Sequence, residues 1–281
     1  MSKFLPDNAI SSFDQRVKTK YEHGSKLRPT VTLADNVVGS THRFNNMGKG
    51  MATKRVDTTD VVPMNITHGN TVATLEDWNA PEYTGIFDQQ KVNYKEQDRL
   101  ASIIGNAIGR REDQIIIDAL DGASSTLTVG TDIGGTGTGL NTAKCRRIKK
   151  LLDDKGVPQV SSERTHLVSA DGMEALLGDS DANTFDKNAI KILYDGEVHH
   201  WVGMKFIMIE TRAEGGLAKS GSVRTSFAYH RDAVGLAVGI NMRTEVNYIP
   251  QKTSWLANGI FSGGGKHIDT DGIVEIDTTE S

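Results

Sequence analysis

Residues 134–139 are the first stretch with the composition of a chemical site. The run Gly134–Gly139 precedes a predicted helix, as a phosphate-binding loop would. It lacks the Gly-Lys-Ser/Thr ending of such loops, because Leu140 and Asn141 follow it, and no acid stands where a dinucleotide ribose ligand belongs. These departures favour a mobile Gly/Thr linker and leave a phosphate-binding enzyme as an alternative.

A second stretch, close to residue 281, has acids at a spacing similar to that of a calcium loop. Asp269, Asp271 and Glu275 could supply carboxylate ligands. In the register of such a loop, the first and last ligand positions would fall on His267 and Thr278, which are not carboxylates. The same residues are typical of a turn between two strands, so the sequence predicts a turn.

The histidines and the single cysteine form no catalytic pattern. His199 and His200 are adjacent, so on a strand they point to opposite faces and cannot bind one ion together. Cys145 shares the apolar face of a predicted helix with Ile148 and Leu152, which indicates a small core residue. A single cysteine also excludes internal disulfides and fits a reducing compartment. We therefore predict no catalytic residue, no cofactor and no metal.

Charge is distributed unequally along the chain. Of the 281 residues, 37% are hydrophobic, enough for one large domain or two ordinary ones. Residues 1–55 contain ten Lys and Arg against four Asp and Glu, a net charge of +6, so the total of −4 leaves −10 for the remainder. The basic part could lie on its own body, on a neighbouring subunit or on nucleic acid, or could simply be solvated. With no signal sequence and no membrane-spanning run, we expect a soluble chain that is not exported.

One long amphipathic helix is predicted to position the other elements. Leu100, Ile104 and Ile108 follow the spacing of one helical face, and further apolar residues continue this stripe to Leu120. The helix is predicted over residues 93–122, a rod of roughly 40 Å. The charges on its polar face are not spaced as a catalytic pair, so we interpret the helix as a structural support.

The segments on either side of this helix need different partners. Residues 1–40 form an arm with little core of its own, and residues 41–76 are rich in Thr, Val and Met and predict a long hairpin. Its strand-like runs are Arg43–Phe44, Thr53–Val56, Val61–Ile66 and Thr71–Leu75. Exposed edge strands aggregate unless they are covered, and docking on a neighbouring subunit would cover them. Helices predicted at 141–155, 171–178 and 189–193 alternate with strands, and a β-rich segment follows, which indicates an α+β fold of two layers.

This order of elements resembles the tailed-bacteriophage major capsid proteins of the Hong Kong 97-like (HK97) fold. Five stretches look like sequences from one branch of that family: Ser25–Pro29, Gly48–Lys54, Ala73–Trp78, Gly109–Asp113 and Ala228–Ala237. The resemblance covers nearly the whole chain and assigns a role to each segment. Residues 1–40 would be the N-terminal arm, 41–86 the extended E-loop, 87–140 the P-domain with its spine helix at 93–122, 141–239 the α/β A-domain, and 240–281 a return to the P-domain.

The resemblance also implies partners and a location. Hexamers and pentamers of the chain would form an icosahedral shell around double-stranded DNA, with a portal, a separate scaffolding protein and optionally a decoration protein. The shell would be assembled in the cytoplasm of a bacterial host and become part of the virion, without a membrane. The alternatives are an encapsulin-like nanocompartment shell of the same fold, a tail or baseplate protein, and the phosphate-binding enzyme that uses Gly134–Gly139.

Eight charged residues are predicted to contact neighbouring subunits. They are Arg28, Lys49, Lys54, Arg55, Arg110, Arg111, Glu112 and Asp113. The first four belong to the basic part of the chain and the last four to the polar face of the long helix. We expect attraction between the basic part of one subunit and the acidic body of the next.

Overall fold

The computed structural model describes residues 24–57, 60–86, 96–123, 127–160, 162–179 and 200–280. The main helices are α1 (Glu96–Asp121), α2 (Thr142–Asp154) and α3 (Ala170–Gly178). The strands are β1 (Thr32–Ala34), β2 (Thr41–Met47), β3 (His68–Thr74), β4 (Glu76–Gly85), β5 (Thr128–Val129), β6 (Arg164–Val168), β7 (His200–Trp201), β8 (Met204–Met208), β9 (Lys219–Ser220), β10 (Val223–His230), β11 (Val234–Ile249), β12 (Ser254–His267) and β13 (Ile273–Thr279).

The long helix α1 packs against a four-stranded sheet with the order β1-β11-β12-β4. Ile116 and Leu120 of α1 are buried with Leu236 of β11 and Phe261 of β12, which places the apolar stripe predicted for the helix against this sheet. A glycine at position 259 permits the close approach, because a Cβ there would lie 2.4 Å from Cγ2 of Ile104. The predicted helix is confirmed over its described residues and ends beside Gly122.

A larger sheet forms the second layer with α2 and α3. Its strands run in the order β5-β13-β10-β6-β8-β7, and β9 pairs with β10. Cys145, Ile148 and Leu152 of α2 are fully buried in this core, together with Leu176 of α3. The single cysteine is therefore a core residue, as its position on the helix predicted.

Strands β2 and β3 form a separate two-stranded hairpin, with a register that runs from Thr41 opposite Thr74 to Met47 opposite His68. Phe44, Ala73 and Ala237 bury the root of this hairpin against β11. The strands predicted at 53–56 and 61–66 were wrong, since the described residues between β2 and β3 contain no strand. A Val- and Thr-rich segment becomes a strand only where another strand accepts its backbone hydrogen bonds.

Three further elements differ from the sequence-based expectation. Residues 76–85, assigned to the E-loop segment 41–86, form strand β4 of the four-stranded sheet, and Pro81 is tolerated there because β4 is an edge strand. Residues 240–281 are shared between the sheets, since β12 lies beside α1 whereas β13 pairs with β10 and β5. Ser169 caps α3, so this helix begins at Ala170, one residue before the predicted start at 171. The helical stretches predicted before Gly24 and at 189–193 lie outside the described residues.

Candidate functional site

A buried carboxylate on α1 holds the N-terminal arm. The side chain of Asp113 is fully buried, and its oxygens accept hydrogen bonds from Ser25 Oγ at 3.0 Å and from the backbone N–H groups of Lys26 and Leu27, both at 3.0 Å. Hydrogen bonds to an ionised acceptor are stronger than neutral ones. Asp113 thereby fixes the path of the arm as it crosses the helix.

A loop after β8 supplies the positive charge that Asp113 requires. Arg212 Nη2 donates to Asp113 Oδ2 at 2.8 Å, and its Nη1 lies 3.2 Å from Glu210 Oε2. Lys26 Nζ of the arm donates to Glu210 Oε1 at 2.7 Å. Burial opposes ionisation of Glu210, yet the hydrogen bond from Lys26 and the charge of Arg212 leave the pKa of this carboxyl below its ordinary value. We call these three segments, Ser25–Arg28, Gly109–Gln114 and Glu210–Gly216, the arm clasp.

Two glycines make the arm clasp sterically possible. A Cβ at position 109 would lie 2.5 Å from the backbone nitrogen of Ser25. A Cβ at position 215, where φ is +71°, would lie 2.6 Å from the carbonyl oxygen of Arg110. Backbones can come this close only where no side chain begins, and the positive φ also favours glycine.

Arg28 extends the clasp to the edge of the four-stranded sheet. Its guanidinium lies 3.2 Å from Glu112 Oε1 and donates to Asp35 at 3.1 Å and to Asn241 Oδ1 at 2.6 Å. Burial raises the pKa of Glu112 above its usual value, and the charge of Arg28 opposes this rise. The arm is also held by its own apolar residues, since Leu27 is fully buried.

The two arginines that precede Glu112 both lie next to the loop Glu210–Gly216. The guanidinium of Arg111 lies over the ring of Trp78, 3.5 Å from its centroid, and 3.9 Å from Glu214. Stacking of this kind is favourable because the guanidinium meets the negative face of the indole. Arg110 is half-buried and its carbonyl oxygen faces Gly215.

The remaining predicted residues lie on the hairpin. Lys54 and Arg55 are exposed in the segment between β2 and β3. The same segment exposes large apolar side chains that no described residue covers, such as Met51 at 83% and Val61 at 89% exposure. Lys49, at the base of this segment, contacts the body of its own subunit. A hairpin tip that exposes apolar side chains next to charged ones has the composition of a docking element.

The eight predicted residues thus fall into two groups. Arg28, Arg110, Arg111, Glu112 and Asp113 lie in the arm clasp or beside it, and Lys49, Lys54 and Arg55 lie on the hairpin. Asp113 is fully buried and its described contacts are within the chain, so it holds the arm in place without lying on the surface itself. For all eight, contact with a neighbouring subunit stays a prediction.

Sequence reasoning missed Lys26 and Arg212 as members of the arm clasp, and Trp78 as the residue that stacks on Arg111 beside it. Arg212 is separated from Asp113 by 99 residues, and no local pattern links them. The one available signal was Gly215-Gly216, a glycine pair that indicates close backbone approach.

The glycine-rich loop has no free anion site. Asn141 Oδ1 accepts from the backbone nitrogen of Lys144 at 2.8 Å, and Asp179 Oδ2 accepts from that of Thr142 at 2.8 Å, so side chains already occupy the N-terminus of α2. Lys144 Nζ is buried and donates to the carbonyl oxygens of Thr138 and Asp277, both at 2.8 Å. The loop is therefore fixed in place, which corrects the expectation of a mobile linker.

The other candidate chemical residues have structural roles. Asp269 accepts from the backbone nitrogen of Asp271 at 3.0 Å in a turn between β12 and β13, as predicted. Burial raises the pKa of the Cys145 thiol to about 12, which keeps it protonated and unreactive. Among the described residues, no group of three or more His, Cys, Asp or Glu side chains could hold a metal ion. Nor is any described helix long and apolar enough to cross a membrane.

A long helix on a small sheet, a clasped arm, a projecting hairpin and a larger α/β layer together define the Hong Kong 97-like capsid fold. The structure is similar to the capsid of cyanophage P-SCSP1u, with a TM-score of 0.76 and 13% identity over 98% of this chain and 94% of that one. It is also similar to a structure from Mycobacterium phage Che8, with a TM-score of 0.71 and 14% identity over 98% of each chain. For the head of Helicobacter pylori bacteriophage KHP40 the TM-score is 0.73, with 9% identity over 100% and 99% of the two chains.

The sequence itself gives the family. The chain belongs to the phage capsid protein family, whose model matches residues 5–280. No curated protein sequence matches the chain. The fold and the capsid function predicted from the order of elements are thereby confirmed.

Proposed function

We propose that this chain is the major capsid protein of a tailed bacteriophage and assembles as hexamers and pentamers into an icosahedral shell that encloses double-stranded DNA. The observation that carries this proposal is the hairpin. Its tip exposes Met51, Val61 and Val62 although the rest of the chain has well-buried cores. Such a surface is costly in a free subunit and is stabilised when a neighbour covers it.

Charge supports the same arrangement. Residues 1–55 carry a net charge of +6 and the remainder −10. Opposite charges on different parts of one subunit favour repeated contacts between like subunits. We propose direct contact chiefly for Lys54 and Arg55 at the exposed tip, and we assign Glu112 and Asp113 the task of holding the arm in the position that the neighbour meets.

The segments keep the roles that the resemblance implied. Residues 1–40 act as the arm, 41–86 as the E-loop, α1 as the spine of the P-domain, and α2 and α3 as helices of the A-domain. A portal, a separate scaffolding protein and optionally a decoration protein would complete the particle, which is assembled in the bacterial cytoplasm. The role is structural and not enzymatic, in keeping with the occupied N-terminus of α2 and the buried Cys145 thiol.

Electron microscopy of the purified chain tests this proposal. We expect closed polyhedral shells, whereas tubes, rings or persistent monomers would overturn it. Reversing the tip charges in the double variant Lys54→Glu, Arg55→Glu should abolish shells and leave the circular dichroism spectrum unchanged, because both side chains are exposed. The double variant Lys54→Arg, Arg55→Lys is the matched control and should still assemble. Normal shells from the charge-reversed variant would refute the role of the tip charges.

A further inference from the structure

The hairpin rests on its own subunit through two different kinds of contact. At the root, the ring of Phe44 packs against Gly235, where a Cβ would lie 2.5 Å from the ring. Ala73 and Ala237 are fully buried beside it. This packing leaves no space, so the root is the fixed end of the hairpin.

Beyond the root, two polar side chains of the hairpin contact the body. Asn46 Nδ2 donates to the carbonyl oxygen of Ile268 at 3.1 Å. Lys49 Nζ donates to the carbonyl oxygen of Lys155 at 2.8 Å and lies 4.0 Å from Asp271 Oδ2. A cleft of about 440 Å³ separates the hairpin from the turn that contains Asp271. The cleft is open to solvent, so little dispersion contact holds this part of the hairpin to the body.

Three charged side chains meet next to this cleft, one from the hairpin, one from the end of α2 and one from the turn before β13. Lys155 is the C-terminal capping residue of α2, so its carbonyl oxygen lies at the negative end of the helix dipole, where the ammonium of Lys49 is favoured. The ammonium of Lys155 in turn lies 2.7 Å from Asp271 Oδ1. Asp271 is thus shared between a lysine of the body and a lysine of the hairpin.

The part of the hairpin that can move begins beyond the root, where the ladder ends at Met47 opposite His68. Gly48 follows Met47 directly, and the described residues between β2 and β3 form no strand. Movement of this segment therefore leaves both the ladder and the packing of Phe44 intact.

We propose that Lys49, Lys155 and Asp271 form a latch that holds the hairpin against its own subunit before assembly and opens when the hairpin docks on the next subunit. The proposal rests on the shell function proposed above. Lys49 is 78% exposed, and exposed charged contacts shift an equilibrium by about two- to fivefold. A latch of this strength biases the hairpin towards the closed position and still releases it to a neighbour.

Distance measurements on the unassembled full chain test the latch. Spin labels on Val61→Cys and Gln159→Cys report the position of the hairpin tip relative to the end of α2, because both sites are exposed. Cys145 is fully buried and takes no label. In pulsed electron paramagnetic resonance, Lys49→Met should increase the long-distance population about two- to fivefold, and Asp271→Asn should do the same.

Lys54→Met is the matched control, because it removes a lysine from the same hairpin that makes no ion pair with a described residue. Its distance distribution should equal that of the parent. An unchanged distribution in Lys49→Met would overturn the latch, and so would an equal change in Lys54→Met. The shell function is read separately, by microscopy of the unlabelled chain, so a chain that fails to form shells but shows these distance changes contradicts only the function.

Discussion

Replacing Asp113 by Asn removes the charge at the centre of the arm clasp while keeping the size of the side chain. The carboxylate now accepts from Ser25, from two backbone N–H groups and from Arg212. An amide has one acceptor oxygen, and its NH₂ group would face these donors. Removing one partner of a buried ion pair costs about 3–5 kcal/mol. Because Arg212 keeps Glu210 at 3.2 Å, we expect the lower end, about 3 kcal/mol.

Reversible urea unfolding of the unassembled subunit, followed by circular dichroism, measures this loss. The midpoint should fall while the dependence on urea concentration stays the same, since the surface exposed on unfolding does not change. Trypsin should also cleave faster after Lys26 under native conditions, because the arm loses its attachment to α1.

Asp118→Asn is the matched control on the same helix. Asp118 is exposed and accepts from Gln114 Nε2 at 2.6 Å, so its substitution should change the free energy of unfolding by less than about 0.5 kcal/mol. A loss below about 1 kcal/mol for Asp113→Asn, or equal losses for the two variants, would refute the assignment of Asp113 as the anchor of the arm.

Two further predictions concern glycine packing and pH. Gly109→Ala should displace the arm and destabilise the subunit, because its Cβ would lie 2.5 Å from the backbone nitrogen of Ser25. An added Cβ at Gly105 has no atom within 4 Å, so Gly105→Ala should stabilise α1 by about 0.5–1 kcal/mol in thermal unfolding. Equal effects of the two variants would contradict this reasoning. Burial lowers the pKa of His166 to about 3, whereas the pKa of a histidine in an unfolded chain is about 6.5. Between these two pH values the unfolded state binds more protons than the folded state. The free energy of unfolding should therefore fall as the pH drops below about 6.5. His166→Phe should reduce this fall, measured by urea unfolding at about pH 7.5 and pH 4.5, and a parallel fall in both proteins would exclude His166 as its source.

Elements with a one-sided apolar pattern were predictable. Helix α1 was found because its buried residues recur with the helical period, and α2 because Cys145, Ile148 and Leu152 share one face. Each of these patterns is local, since a helix satisfies its own backbone and exposes one stripe to the core. The long strands β11 and β12 were predictable for a similar reason, as β11 is an extended run rich in β-branched residues and β12 alternates around Trp255, Ala257 and Phe261.

Strand pairing was less predictable, because a strand depends on a partner elsewhere in the chain. Residues 76–85 contain Pro81 and few aliphatic residues, yet they pair with β12 along ten positions. Residues 61–66 have the composition of a strand and form none. In both cases the available edge of a sheet, and not the local sequence, decides the outcome.

The sequence by itself determined the order of elements, the long helix, the basic N-terminal part and the absence of a catalytic pattern, because these follow from composition and short-range periodicity. Only the tertiary structure decided that Asp113 faces the arm and Arg212, and that Lys49 reaches Lys155 and Asp271. Lys26 of the arm and Arg212 lie 87 and 99 residues from Asp113, and Lys155 lies 106 residues from Lys49. A charge on a helix surface looks the same in sequence whether water, the arm or a neighbouring subunit covers it, so its role depends on where the folded chain brings the opposite charge.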